Sequence, residues 1–278
     1  MRLGITAFLT DLAMRPAALA RAVEERGFAS LFLPEHTHLP VRSATPPSLV
    51  EGVDLEDYRR SLDPLVALAS AVEATEHIRL GTGIVLVAQH DPIVLAKQVA
   101  TLDLLSNGRV DLGVGFGWNR AEAEDHGIPF EIRRQIAAEH VRCMQALWSE
   151  ERASFSGDRV HLEPCWSWPK PVQRPGVPVL VGGSATDAVF EAVADYGQGW
   201  MPIGGAGVAK ALPRLRKRLE DSGRDPSTVR VIPFGTVPSE KKLEHFASAG
   251  IDEVVLRLPA GPTDAMLRHL DELARFVR

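Results

Sequence analysis

Short, uninterrupted apolar runs alternate with amphipathic helical stretches along the whole sequence, and this predicts an α/β fold. The 278 residues accommodate eight strand–helix units of about 35 residues each, the period of a parallel βαβ series. Strands lacking polar alternation imply a parallel sheet with helices covering its outer face. Eight such units close into a (βα)8 TIM barrel more naturally than they spread into an open, doubly wound sheet, which is the alternative. The chain is therefore expected to be a single domain over residues 1–278.

The elements follow in order. Residues 3–7 read as the first strand. Residues 16–26 read as a helix: Pro16 sits in its first turn, Leu19, Ala22 and Val23 share one face, and Gly27 stands at C′. Residues 30–34 form the second strand and residues 64–75 a helix with Leu65, Leu68, Ala69 and Val72 in register. The β-branched run 78–87 is the third strand. Asp91 and Pro92 open a helix as cap and N1 residue, and Asn107-Gly108 stops it. Residues 110–116 give the fourth strand and 131–149 a long helix. The second half repeats the scheme, with strands at 177–181, 199–203, 229–235 and 253–258. The helices between and after them fall at 184–196, up to 221, 240–249 and 263–277. Pro213 should kink or restart the helix that contains it.

Two stretches interrupt the alternation. Residues 40–63, after the second strand, are polar and contain Pro46-Pro47, as expected of a lid. Residues 155–178, before the fifth strand, begin like a hairpin and continue with five prolines. They are expected to cross the barrel mouth.

Composition narrows the function. A net charge of -5 argues against general nucleic-acid binding, which needs a basic face. Two cysteines, Cys143 and Cys165, make no disulfide framework, so a reducing cytoplasm is the default compartment. The N-terminus lacks the pattern of a secretory signal, and no run of 18 apolar residues is present. A small-molecule substrate is the expected partner.

In a barrel, chemistry sits on the loops that follow the strands. The second strand ends Pro34-Glu35-His36-Thr37-His38. A strand-end His36 can act as acid or base near neutral pH, or simply hydrogen-bond within its loop. His36 and His38 also have the spacing of a metal pair. A metal-dependent hydrolase barrel needs further ligands, however, and strand tips 182–184, 203–205 and 259–261 supply no His, Asp or Glu. No metal site is expected.

Gly81-Thr82-Gly83 interrupts the third strand, as a bulge or a close backbone approach would require. Gly113, Gly115 and Gly117 alternate at the end of the fourth strand, just before Trp118. They would leave a flat slot for a ring or a phosphate, although the spacing is not a dinucleotide fingerprint. Gly182-Gly183-Ser184 ends the fifth strand, where a helix begins, and offers free N–H groups to an anion. Ser184 with Asp187 also reads as a capping box. Cys143 is expected in the core, His77, His140, His245 and His269 on helix surfaces, and the basic run 214–218 on a solvated face. Trp166 and Trp168, like Trp118, are candidates for a pocket wall.

Taken together these motifs resemble the luciferase-like monooxygenase superfamily, and within it the oxidoreductases that use deazaflavin coenzyme F420. The resemblance rests on Pro34-Glu35-His36, on residues 78–83, and on Ser106-Asn107-Gly108-Arg109-Val110 leading into the glycine run with Trp118, Asn119 and Glu122. The Pro169-Lys170-Pro171 stretch through Leu180-Val181-Gly182-Gly183 adds to it. It implies a TIM barrel with insertions, often dimeric. It implies that His36 lies beside the reactive ring, with Glu35 where the family usually has Asp. It further implies that Thr82 and Gly83 back the ring, that Gly115 and Trp118 form the fourth-strand slot, and that Gly182, Gly183 and Ser184 hold the cofactor phosphate. An FMN-dependent monooxygenase of the same fold is the nearest alternative, and a non-catalytic flavin-binding relative is another.

Overall fold

The computed structural model describes residues 1–43 and 55–277. Eight parallel strands form the ring: β1 (Arg2–Thr6), β2 (Ser30–Leu33), β3 (Arg79–Thr82), β4 (Val110–Val114), β5 (Val179–Gly182), β6 (Gly199–Met201), β7 (Arg230–Val231 continuing as Phe234–Thr236) and β8 (Glu253–Arg257). Each strand pairs with its sequence neighbour, and β1 pairs with β8. The first part of β7 pairs with β6 and the second part with β8. One interrupted strand therefore joins both ends of the sheet, and the ring is closed. The open-sheet alternative is excluded by this pairing.

Three layers of inward-facing residues fill the ring, because side chains on one strand face repeat every two residues. Asp111, Arg230 and Glu253 make a charged layer at the end where the strands begin. Phe32, Leu180, Met201, Ile232 and Val255 make an apolar layer above it. Gly81, Gly113 and Gly199 give these larger residues room: a Cβ at Gly81 would lie 2.4 Å from the Phe32 ring, and one at Gly199 2.5 Å from Leu180. The third layer, where the strands end, surrounds a cavity. A separate apolar core lies between the ring and its helices.

Several sequence expectations change. The third strand stops at Thr82; the Gly83–Ile84 peptide is cis, and the chain continues through a Val85–Val114 bridge into a 3-10 turn, Val87–Gln89. A short helix, Arg120–Asp125, precedes the long helix Arg133–Ser149. Its periodicity is too brief to register as a helix; the signal is Asn119, whose side chain caps Ala121 and Glu122. The helix Val208–Asp221 runs through Pro213 without a break.

The insertion before β5 does not cross the mouth. It forms a hairpin, Ala153–Ser156 with His161–Cys165, and then descends to the opposite end of the barrel. There Gln173 bonds Asp103 and the Val110 carbonyl. A parallel strand must be entered from its starting end, and the proline-rich segment covers that distance. Of the insertion after β2, residues 44–54 lie outside the described residues; the helix Leu55–Arg59 is described. Among the described residues no helix is long and apolar enough to cross a membrane.

Candidate active site

A cavity of about 280 Å³ opens where the strands end. His36, Gly83, Gly115, Trp118, Gly182, Gly183 and Ser184 all line it. The structure thus brings together seven residues that the sequence reading singled out separately. Thr82 is the exception. It is buried in β3, and its hydroxyl donates to the Gly113 carbonyl at 2.7 Å. Its side chain ties β3 to β4.

His36 follows β2 in a loop held by two buried glutamates. Its Nδ1 lies 2.8 Å from Glu122 Oε2, and Glu122 Oε1 accepts from the Thr37 amide at 3.2 Å. Glu122 is wholly buried on the helix Arg120–Asp125. A carboxylate there keeps the ring proton on Nδ1 and leaves Nε2 as the nitrogen free for chemistry. The imidazole packs against Tyr58 at 5.0 Å and Trp118 at 5.7 Å between ring centres.

Glu35, next in sequence, turns away from His36. One oxygen accepts from the Leu86 amide at 2.6 Å and the other meets His90 Nε2 at 2.8 Å. Burial pushes the His90 imidazolium down, but its hydrogen bond to Glu35 and the Glu35 charge outweigh burial and raise its pKa. Stability from protonated His90 is thus complete below pH 6.5, its ordinary value, and is lost as pH rises through the raised value. A Glu35→Gln variant removes the charge and lets burial dominate. In an NMR titration His90 should then titrate below 6.5, with Asp63 and His140 its remaining titratable neighbours.

The fourth-strand glycines do not leave an empty slot. A Cβ on Gly113 would lie 2.0 Å from the Thr82 carbonyl oxygen, and one on Gly115 2.4 Å from Ile84 Cδ1. A Cβ on Gly182 would lie 2.8 Å from Ile84 Cγ2. The missing side chains let β3 and Ile84 come close, so Ile84 covers these strands and forms part of the cavity wall. Periodicity alone reads such glycines as an opening, because the residue that fills the space belongs to the segment that follows β3.

Ser184 does not cap its helix. The cap is Thr186, whose hydroxyl accepts from the Val189 amide at 3.3 Å, and Asp187 pairs with Arg214 at 2.6 Å. The Ser184 hydroxyl is therefore not used in capping and stands exposed at the cavity edge. Gly183 has a φ of 145°, which side-chain-bearing residues rarely adopt. The loop thus keeps its backbone close to the cavity, ahead of the N-terminus of the helix Asp187–Asp195.

Other candidates fall outside the site. His38 is exposed and bonds Asp125 at 3.2 Å while His36 bonds Glu122, so the two imidazoles take different partners. Among the described residues no group of three or more His, Cys, Asp or Glu is placed to hold a metal ion. Trp166 and Trp168 are exposed and do not line the cavity. His140, expected on a surface, is buried against the Val87 carbonyl at 3.1 Å. Cys143 lies in the core as expected. Tyr58, Ile84, Arg257 and the Glu122–His36 pairing carried no local sequence signal; all depend on contacts between distant segments.

An uncharacterized protein of Mycobacterium tuberculosis is 40% identical over 99% of this chain and 98% of its own length. An F420-dependent hydroxymycolic acid dehydrogenase of the same species is 29% identical over 90% of this chain and 62% of its own. A monooxygenase from Streptomyces bottropensis shares the fold with a TM-score of 0.79 and 22% identity, covering 100% of this chain and 98% of its own. An F420-dependent secondary alcohol dehydrogenase, solved with an F420–acetone adduct, gives 0.76 and 20%, covering 100% and 99%. Residues 13–260 match the luciferase-like monooxygenase family, and the chain belongs to that family of TIM-barrel oxidoreductases and monooxygenases.

Proposed function

We propose that the chain is an F420-dependent oxidoreductase that passes hydride to or from a small organic substrate in this cavity. The observation that carries the reading is the pairing of an anion cradle with an imidazole across one cavity. The exposed Ser184 hydroxyl and the Gly182-Gly183 backbone fit a phosphate at a helix N-terminus. His36 faces the same space with its Nδ1 fixed by Glu122. The F420 named in the hydroxymycolic acid dehydrogenase supports this choice of cofactor.

When bound, F420 supplies hydride chemistry at its ring, and the protein's part is to orient and protonate. Gly182, Gly183 and Ser184 would hold the phosphate. Ile84 and the Gly83 backbone would support the ring. His36 Nε2 gives or takes the proton that accompanies hydride transfer at the substrate, while Glu122 holds Nδ1. Tyr58 and Trp118 pack around the imidazole and restrict water near it.

Titration with F420 and separately with FMN, followed by fluorescence, tests the cofactor. F420 should bind, and Ser184→Ala should weaken it by about ten-fold, the loss of one hydrogen bond to a charged group. Binding of FMN but not F420 would reassign the chain to the FMN-dependent monooxygenases. Binding of neither would overturn the reading.

A further inference from the structure

One cation of the cavity lining, Arg257, has no hydrogen-bond or ion-pair partner among the described residues. Arg257 ends β8 and continues the inward-facing series Glu253, Val255, Arg257, so its position faces the mouth. It is half-buried and lines the cavity. Among the described residues no carboxylate or carbonyl pairs with its guanidinium. The two other arginines of the lining are already engaged. Arg133 donates to the Gly117 and Phe130 carbonyls at 3.1 and 2.6 Å, and Arg134 lies over the Phe116 ring at 4.8 Å.

Arg257 also stands on the His36 side of the cavity. β8 is separated from β2, which leads to His36, by β1 alone. Its charge reaches Tyr58: burial and Asp57 raise the Tyr58 pKa, and Arg257 opposes them. The Tyr58 ring is 5.0 Å from the His36 ring. The anion cradle belongs to β5, three strands around the ring in the other direction.

A half-buried guanidinium loses hydration without a compensating partner, so a bound carboxylate restores what burial removed. A guanidinium matches a carboxylate with two parallel N–H donors. We infer that Arg257 anchors a carboxylate of the substrate, and that the substrate is an anionic molecule with an apolar body. Phe116, Trp118, Met201 and Phe234 line the remaining space and suit that body. The anchored end fixes which carbon faces His36. This inference rests on the cavity being the reaction site, as proposed above.

Matched probes test it. Benzoate and benzyl alcohol share a ring and differ in the charge. Their affinities are measured by calorimetry or ligand-observed NMR, on the protein alone and after saturation with F420. Benzoate should bind at least about ten-fold more tightly than benzyl alcohol in both states. Arg257→Met and Arg257→Gln should each remove that preference while leaving benzyl alcohol and F420 affinity unchanged, which also verifies folding. Equal binding of the two probes by the wild type overturns the inference, as does retention of the benzoate preference in both variants. Loss of F420 affinity with benzoate unchanged would assign Arg257 to the cofactor instead. Failure of F420 to bind defeats the cofactor reading and leaves the benzoate comparison on the free protein as the deciding measurement.

Discussion

Replacing His36 with alanine should lower single-turnover hydride transfer in the proposed reaction by roughly 100- to 10,000-fold, the usual weight of one positioned proton donor or acceptor, and should leave F420 affinity within about two-fold. The separation follows from geometry. His36 lies across the cavity from the Gly182–Ser184 cradle that would hold the cofactor. The alanine variant also leaves the buried Glu122 carboxylate without its ring partner, although the Thr37 amide still donates to it. Unpaired buried charges destabilise proteins, so a second variant is needed. His36→Asn keeps an N–H donor near the place of Nδ1 and removes Nε2. If His36→Asn folds, binds F420 and turns over at the wild-type rate, Nε2 has no part in proton transfer.

Glu122→Gln separates the proton's position from its presence. An amide at 122 donates toward Nδ1 and shifts the ring proton to Nε2, the wrong tautomer for a base. Turnover should fall by roughly 100-fold or more at neutral pH with KM nearly unchanged. An unaltered rate would mean that Glu122 only fills space. A fall of that size would make Glu122 a positioning residue that acts through His36.

The barrel was legible because its signals are local and repeat. Apolar runs, helix caps such as Asp91 and turn residues such as Asn107-Gly108 each report their own segment, and eight consistent units point to one architecture. The candidate site was legible only as motifs. His36 and the Gly182–Ser184 loop could be located because strand ends in a barrel converge on one mouth. Their partners could not. Glu122 reaches His36 across 86 residues of sequence, and Ile84 fills the Gly115 gap from the segment after β3. The Ser184 capping box failed for a related reason. Thr186, two residues later, offers the same cap chemistry at the true helix start, and spacing alone does not rank two adjacent caps. The fold's bottom layer was also invisible, since Asp111, Arg230 and Glu253 each look like a stray polar residue in an apolar strand.

That layer carries the largest expected effect on stability. Asp111 is wholly buried and accepts from Arg79 Nε and Nη2 at 2.6 and 2.7 Å and from Arg230 Nη1 at 2.8 Å. Arg230 also bonds Glu253 at 3.0 Å, and Glu253 takes the Ser30 hydroxyl at 2.7 Å. Burial pushes the Asp111 carboxyl up, but its bonds to the two arginines outweigh burial and hold its pKa below the ordinary value. Asp111→Asn removes the charge and leaves two guanidiniums facing each other in the closed end of the ring. The expected loss is about 3–5 kcal/mol, near 10 °C in Tm for a chain of this size. Because the folded pKa is depressed, Asp111's contribution is complete above its unfolded value, near pH 3.9, and disappears as pH falls through the folded one. Urea unfolding should therefore show a constant gap between wild type and variant from pH 8 to about 5, closing only in stronger acid. A gap below about 1 kcal/mol at neutral pH would show that the pairing merely offsets the cost of burying the charges. F420 affinity should be unaffected where the variant is folded, since the apolar layer of Phe32, Leu180 and Ile232 separates Asp111 from the cavity. The barrel thereby keeps the buried Asp111, Arg230 and Glu253 charges apart from those that face the mouth.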